Sequence, residues 1–258
     1  MKALIPAAGL GARMLPVTKV VPKELLPIEG KPAIQWVLEE ALSAGLREFV
    51  VVLSPRKAIL RDFLTPIGEE HSFSGHRGLQ ELERLLHSVK IAFVEQPAPL
   101  GLGDALLRCR DVVGEEPFAL LLPDNVFSDQ SRLLKELVEV NRIQGKSCVA
   151  LWKADGLNLG DGAVIAELRS DNIYNVRRVL PKGATDDRAT SLRPMGRYVL
   201  ESAAFNYLKR SQKTNGELDD VPVLDGLARD GLLLGMLTTE EFYHIGAGTQ
   251  EKRLACAP

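Results

Sequence analysis

The segment from Lys2 to Lys31 reads KALIPAAGLGARMLPVTKVVPKELLPIEGK. A short apolar stretch, read as a strand, runs into a loop rich in glycine and cations. Gly9 and Gly11 let backbone N–H groups come close to an anion. Arg13, Lys19 and Lys23 bring three cations to the same loop. A packed core has no need of this combination. A nucleoside triphosphate does, because it must be held, neutralised and attacked.

Outward from this segment, apolar runs alternate with helical patterns. Strands are expected over residues 3–7, 48–53, 90–95, 118–122 and 147–152. Helices are expected between them, over 33–44, 56–63, 79–86, 101–108 and 132–144. In the first of these helices Ile34, Val37, Leu38, Ala41 and Leu42 recur at helical spacing, an amphipathic stripe. Such alternation predicts right-handed crossovers and a mostly parallel sheet with helices on both faces. Ligands of such sheets sit at the carboxyl ends of the strands, where the glycine loop lies. Past Trp152 the texture changes. Strands are expected over 173–179, 195–200, 232–237 and 242–245, and helices over 202–210 and 221–229. This half reads as a lobe closing over the first, so that 1–152 and 153–258 form one domain in two parts. Residues 65–78 read as a mobile surface loop.

The chain has 258 residues, 45% of them hydrophobic, and a formal net charge of −2. It can bury a sizeable core, and it carries no global basic field for nucleic acid or an anionic membrane. No apolar stretch approaches a membrane span, and Pro6 interrupts the first one, too short for a signal peptide. The expectation is a cytoplasmic protein. Cys109, Cys148 and Cys256 have no metal-ligand or disulfide spacing and read as reduced structural thiols.

Two common phosphate loops are excluded. No Gly-Lys-Ser/Thr follows Gly11 as a Walker A loop requires. A dinucleotide fingerprint lacks its third glycine, and Pro16 and Pro22 block the helix that should follow. The whole pattern GxGxRMxPxTKxxPKExLP instead resembles the signature of sugar-1-phosphate nucleotidylyltransferases. Within them it is most similar to the bacterial UTP–glucose-1-phosphate uridylyltransferases. Further matching segments keep their order: Lys31-Pro32-x-Ile34-Gln35, Gln96 with Gly101-Leu102-Gly103-x-Ala105, Leu122-Pro123-Asp124, Gly162, Gly196-Arg197-Tyr198-Val199-Leu200 and Gly216-Glu217.

The resemblance implies a Rossmann-like α/β fold with a small sugar-binding lobe, and UTP and a sugar 1-phosphate as substrates. It implies that the backbone of Ala8, Gly9, Leu10 and Gly11 holds the nucleotide, and that Gln96 and Gly101 read the uracil edge. Arg13 would meet the departing pyrophosphate and Lys23 the α-phosphate region. Asp124 would bind Mg²⁺. Gly162 and Glu217 would lie against the sugar, and Lys182 would grip its phosphate. A homo-oligomer is compatible with the pattern. Positioning and charge neutralisation do most of the work in such transfers, and one well-placed donor or cation typically lowers the barrier by about 3–4 kcal/mol.

Each residue also has a purely structural reading. Arg13, Lys19 and Lys23 can be surface cations, Asp124 a helix cap, Gln96 and Gly101 turn residues, and Trp36 and Trp152 packing. His71, His76, His87 and His244 form no ligand spacing.

Two departures from the family stand out. Pro181 replaces the glutamate expected before Lys182, and Gly246 stands where a second metal-binding aspartate is expected. Asp219, Asp220 or Asp225 is a candidate substitute carboxylate. The family also carries a C-terminal helical extension, so oligomer contacts made through it are expected to be altered here. Three other readings therefore stay open. They are the same chemistry with another sugar or with dTTP or CTP, a weakened nucleotide-sugar-binding homologue, and a nicotinamide oxidoreductase. The last rests on Gly9-Leu10-Gly11 alone. Ser54-Pro55-Arg56 follows the second strand where an acidic residue would hold ribose, so it ranks lowest.

Overall fold

The computed structural model describes residues 1–67, 76–128, 131–154, 162–181, 183–184, 186–211 and 217–246, and the backbone of 251–253. Strands β1 (Lys2–Pro6), β2 (Pro27–Ile28), β3 (Lys31–Pro32), β4 (Glu48–Leu53), β5 (Lys90–Glu95), β6 (Phe118–Leu121) and β7 (Asn125–Phe127) lie in the first half. They are followed by β8 (Ser147–Lys153), β9 (Val164–Ser170), β10 (Ile173–Val179), β11 (Leu192–Leu200), β12 (Leu233–Leu237), β13 (Phe242–His244) and β14 (Glu251–Arg253). Nine of these build one sheet in the order β5-β4-β1-β6-β11-β8-β12-β10-β9. β5, β4, β1 and β6 are parallel neighbours, as are β8 and β12. Only β11 and β10 run against the other strands of that sheet. The sheet is mixed and mostly parallel, as expected.

Side chains alternate across the strands, so each strand feeds two cores. On one face Ala3, Ile5, Phe49, Val51, Ala119 and Leu121 pack with Ile34, Val37 and Leu38 of helix α1 (Ala33–Ser43). Leu60 of α2 (Ala58–Phe63), Leu82 of α3 (Arg77–His87) and Leu133 of a later helix, Leu133–Gln144, join them. On the other face Leu4, Val50, Val52 and Leu120 meet Leu106 of α4 (Leu102–Arg108) and Val113 of α5 (Arg110–Val113). Leu208 from helix Ala204–Arg210 and Leu224 from helix Val221–Arg229 complete that face. Helices therefore cover both faces, the condition for buried parallel strands.

Several boundaries differ from the sequence reading. Residues 55–57 form a 3₁₀ turn ahead of α2, because Pro55 occupies the first position of that turn. Among the described residues no helix begins at Asp124, which removes its helix-cap reading: β7 begins at the next residue. β9 is an additional strand at the sheet edge, exposed along much of its length and thus without a clear apolar signature. Of the expected loop over 65–78, residues 68–75 lie outside the described residues. Among the described residues no helix is long and apolar enough to cross a membrane.

The parallel strands deliver chemistry to one edge. The glycine loop follows β1, Lys57 follows β4, Gln96 follows β5 and Asp124 follows β6. The hairpin of β2 and β3 then turns through Glu29 (φ 47°) and Gly30 (φ 83°) and leads the chain into α1.

Candidate active site

Two adjoining cavities open at this edge. The smaller, about 400 Å³, is walled by Ala8, Gly9, Leu10, Gly11, Lys23, Gln96 and Gly101. The larger, about 610 Å³, is walled by Arg13, Gly162, Tyr198, Asp219, Asp220 and His244, among others. Asp124, Gly101 and Glu217 border both. Every site residue expected from the sequence and lying within the described residues thus faces one cleft. Lys182 lies outside the described residues. Lys19 is exposed and lines neither cavity.

The charges are paired across the cleft. Lys23 Nζ donates to Asp124 Oδ2 at 2.7 Å. Burial opposes the Lys23 charge, but Asp124 and then Glu24 outweigh it and hold the ammonium above its ordinary pKa, with Arg13 pushing the other way. Burial likewise opposes ionisation of Asp124. Lys23, and after it His244, still keeps that carboxyl below its ordinary range. Asp124 is therefore an ionised carboxylate at the junction of the two cavities.

Gln96 is 4% exposed. Its side-chain N–H₂ donates to Gly101 O at 3.0 Å and to Asp104 Oδ2 at 2.9 Å, which fixes the orientation of the amide. Gly101 has φ 92°, and a Cβ there would lie 2.5 Å from Leu218 O, so no other residue fits. The close approach lets Leu218 bond to both Leu100 and Gly103 and brings Glu217 to the cleft. At Gly162 a Cβ would lie 2.6 Å from Leu180 O.

Behind Asp124, Arg197 is fully buried and pairs with Glu40 of α1. Its guanidinium also donates to Leu122 O at 3.0 Å and Asn125 O at 2.7 Å, the carbonyls on either side of the Pro123-Asp124 turn. From the other side Ile245 N donates to Asp124 O at 2.7 Å.

Of the three candidate substitute carboxylates, Asp219 and Asp220 line the larger cavity. Asp225 does not serve. It accepts from Arg178 and from Val179 N, and pairs with Arg229. His244, given no role from its spacing, lines the larger cavity, with Nδ1 2.8 Å from Asn125 Oδ1. A Cβ on Gly246 would lie 3.1 Å from the His244 Nε2. The imidazole thus crowds the place a longer side chain at 246 would take. Glu40 and His244 carried no local signal, because each acts on a partner that only the fold brings near.

A family model described as Nucleotidyl transferase matches residues 2–231. The chain is 32% identical over 231 residues to the UTP–glucose-1-phosphate uridylyltransferase YngB of Bacillus subtilis (strain 168), covering 88% of this chain and 77% of that protein. It is 34% identical over 234 residues to UTP–glucose-1-phosphate uridylyltransferase 2 of Staphylococcus saprophyticus, covering 88% and 81%. Its fold superposes with a TM-score of 0.87 on a UDP-glucose pyrophosphorylase crystallised with UDP-glucose, at 28% identity over 95% of this chain and 93% of the other. A UTP-bound enzyme of the same name from Acinetobacter baumannii matches with a TM-score of 0.82 and 25% identity, covering 95% and 88%. The resemblance read from the glycine loop is borne out.

Proposed function

Because the chain belongs to the nucleotidyl transferase family, we propose that it transfers the uridylyl group of UTP to a sugar 1-phosphate, with glucose 1-phosphate as the default acceptor. The observation that carries this reading is the meeting of Lys23 and Asp124, 2.7 Å apart, where the two cavities join. Two polyanions must approach each other there. A cation at the junction offsets part of their mutual repulsion, and the ionised carboxylate beside it would hold a divalent cation that offsets more.

The smaller cavity takes the nucleotide. The backbone N–H groups of Ala8 to Gly11 face the phosphates, and Gln96 with the Gly101 backbone reads the uracil edge. The larger cavity takes the sugar phosphate against Gly162 and Glu217; Lys182, outside the described residues, is the candidate cation for its phosphate. A phosphate oxygen of the sugar attacks the α-phosphorus of UTP in line. The P–O bond to the β-phosphate breaks, and pyrophosphate leaves toward Arg13 on the wall of the adjoining larger cavity. Lys23 passes from Asp124 to the α-phosphate as charge builds there. In this reading residues 1–152 supply the nucleotide half and 153–258 the sugar half of a single cytoplasmic domain.

Asp124 fits a hard divalent cation. Among the described residues no cluster of three or more His, Cys, Asp or Glu side chains gathers as a cage. Mg²⁺ commonly binds through one or two carboxylates with substrate phosphates and water. When bound, Mg²⁺ would neutralise triphosphate charge beside Asp124.

A panel pairing UTP, dTTP and CTP with several sugar 1-phosphates tests the reading. Pyrophosphate release is expected to be fastest with UTP and glucose 1-phosphate. Its absence across the panel sinks the proposal. Gly246, which supplies no carboxylate, favours a second reading: a homologue that binds nucleotide sugar without turnover. UDP-glucose binding by calorimetry together with a silent panel would select it.

A further inference from the structure

We propose that Lys57 is a positioning residue for this transfer: by holding the buried carboxylate of Glu24, it leaves Lys23 to serve Asp124 and the cleft. The inference rests on the uridylyl-transfer reading for the role of Lys23, and on geometry for everything else.

Residues 23–25 form a 3₁₀ turn. Successive side chains in such a turn diverge by about 120°. Lys23 is thereby directed to the cleft and Glu24 to the interior. Glu24 is 1% exposed, and both of its oxygens accept from Lys57 Nζ, at 3.0 and 2.8 Å. Lys57 is itself 7% exposed, at the end of the 3₁₀ turn that follows β4. Four charges of alternating sign therefore run in a row: Lys57, Glu24, Lys23 and Asp124.

The row has an instability built into it. Lys23 already feels Glu24 as well as Asp124. A buried carboxylate that loses its partner retains a strong need for a cation. Without Lys57, the cation that the row still offers Glu24 is its own chain neighbour, Lys23. If Glu24 captured Lys23, Asp124 and the cleft would lose their ammonium. Lys57 thus does more than hold the loop against β4, since it removes a competitor for Lys23.

The test uses Lys57→Gln and the double variant Glu24→Gln/Lys57→Gln, each assayed at a temperature where circular dichroism reports it folded. In Lys57→Gln, kcat for pyrophosphate release is expected to fall at least tenfold, with KM for glucose 1-phosphate changed less than threefold. The double variant, whose neutral residue 24 no longer competes, is expected to return to within threefold of the parent. A merely structural pair predicts parental kcat in the folded single variant, and that result overturns the proposal. So does a double variant as slow as the single. Crystal structures of both variants supply a readout that needs no turnover. Lys23 Nζ is expected on Glu24 in the single and on Asp124 in the double, and Lys23 remaining on Asp124 in the single overturns the inference. If Lys57→Gln does not fold, the double variant decides, because loss of its Lys23–Asp124 contact contradicts the account. A parent protein silent on every substrate would count against the transfer reading and leave the crystallographic comparison intact.

Discussion

Arg197 and Glu40 form a bidentate ion pair with both side chains buried, joining β11 to α1 across 157 residues of sequence. The guanidinium spends its remaining donors on the Leu122, Asn125 and Gly196 carbonyls. One side chain therefore fixes the turn that presents Asp124. Removing either partner leaves an uncompensated buried charge, which typically costs about 3–5 kcal/mol. Glu40→Gln and Arg197→Met are each expected to lose stability of that order in urea unfolding. A loss below 1 kcal/mol would show that the pair is not what holds the turn.

Asp104 orients the amide of Gln96 and pairs with Arg108 on the same helix. Asp104→Ala leaves the amide held by the Gly101 carbonyl alone and so less firmly oriented, while Lys23 and Asp124 are untouched. The expected result is a rise in KM for UTP of about tenfold with kcat nearly unchanged, the signature of lost uniform binding. Selectivity for UTP over CTP should fall alongside it. An equal loss in kcat would place Gln96 in the chemistry instead of in base recognition.

Burial pushes the thiols of Cys109 and Cys148 up to about 12. At pH 8 their thiolate fraction is then on the order of one in 10⁴. In a Cys256→Ser background, iodoacetamide is expected to modify neither residue at pH 8 until denaturant is added. The folded protein keeps its protons above the ordinary thiol value of 9.0, where the unfolded chain loses them, so stability falls as pH rises from about 9. Prompt labelling of the native protein at pH 8 would contradict the buried assignment.

The main sheet was largely readable because its central parallel strands are buried and appear as apolar runs, as in Phe49–Leu53, and the edge strand β5 still carries the apolar Ile91–Val94. β9 was not, since an edge strand facing solvent lacks that signal. β7 was hidden by its three-residue length and by the asparagine that opens it. The glycine loop announced itself because its signal is local: the glycines and the cations stand close together in one stretch, Gly9 to Lys23. Lys57, Arg197 and His244 act through partners that the fold recruits. His244 meets Asn125 over 119 residues and Lys57 meets Glu24 over 33, so no local spacing could reveal them.

The central claim is that Lys23 and Asp124 form the reaction centre, and single-turnover release of pyrophosphate from UTP and glucose 1-phosphate tests it most directly. The account predicts release with Mg²⁺, none after chelation with EDTA, and a rate at least about 100-fold lower in folded Lys23→Met and Asp124→Asn. Parental rates in either folded variant would contradict it.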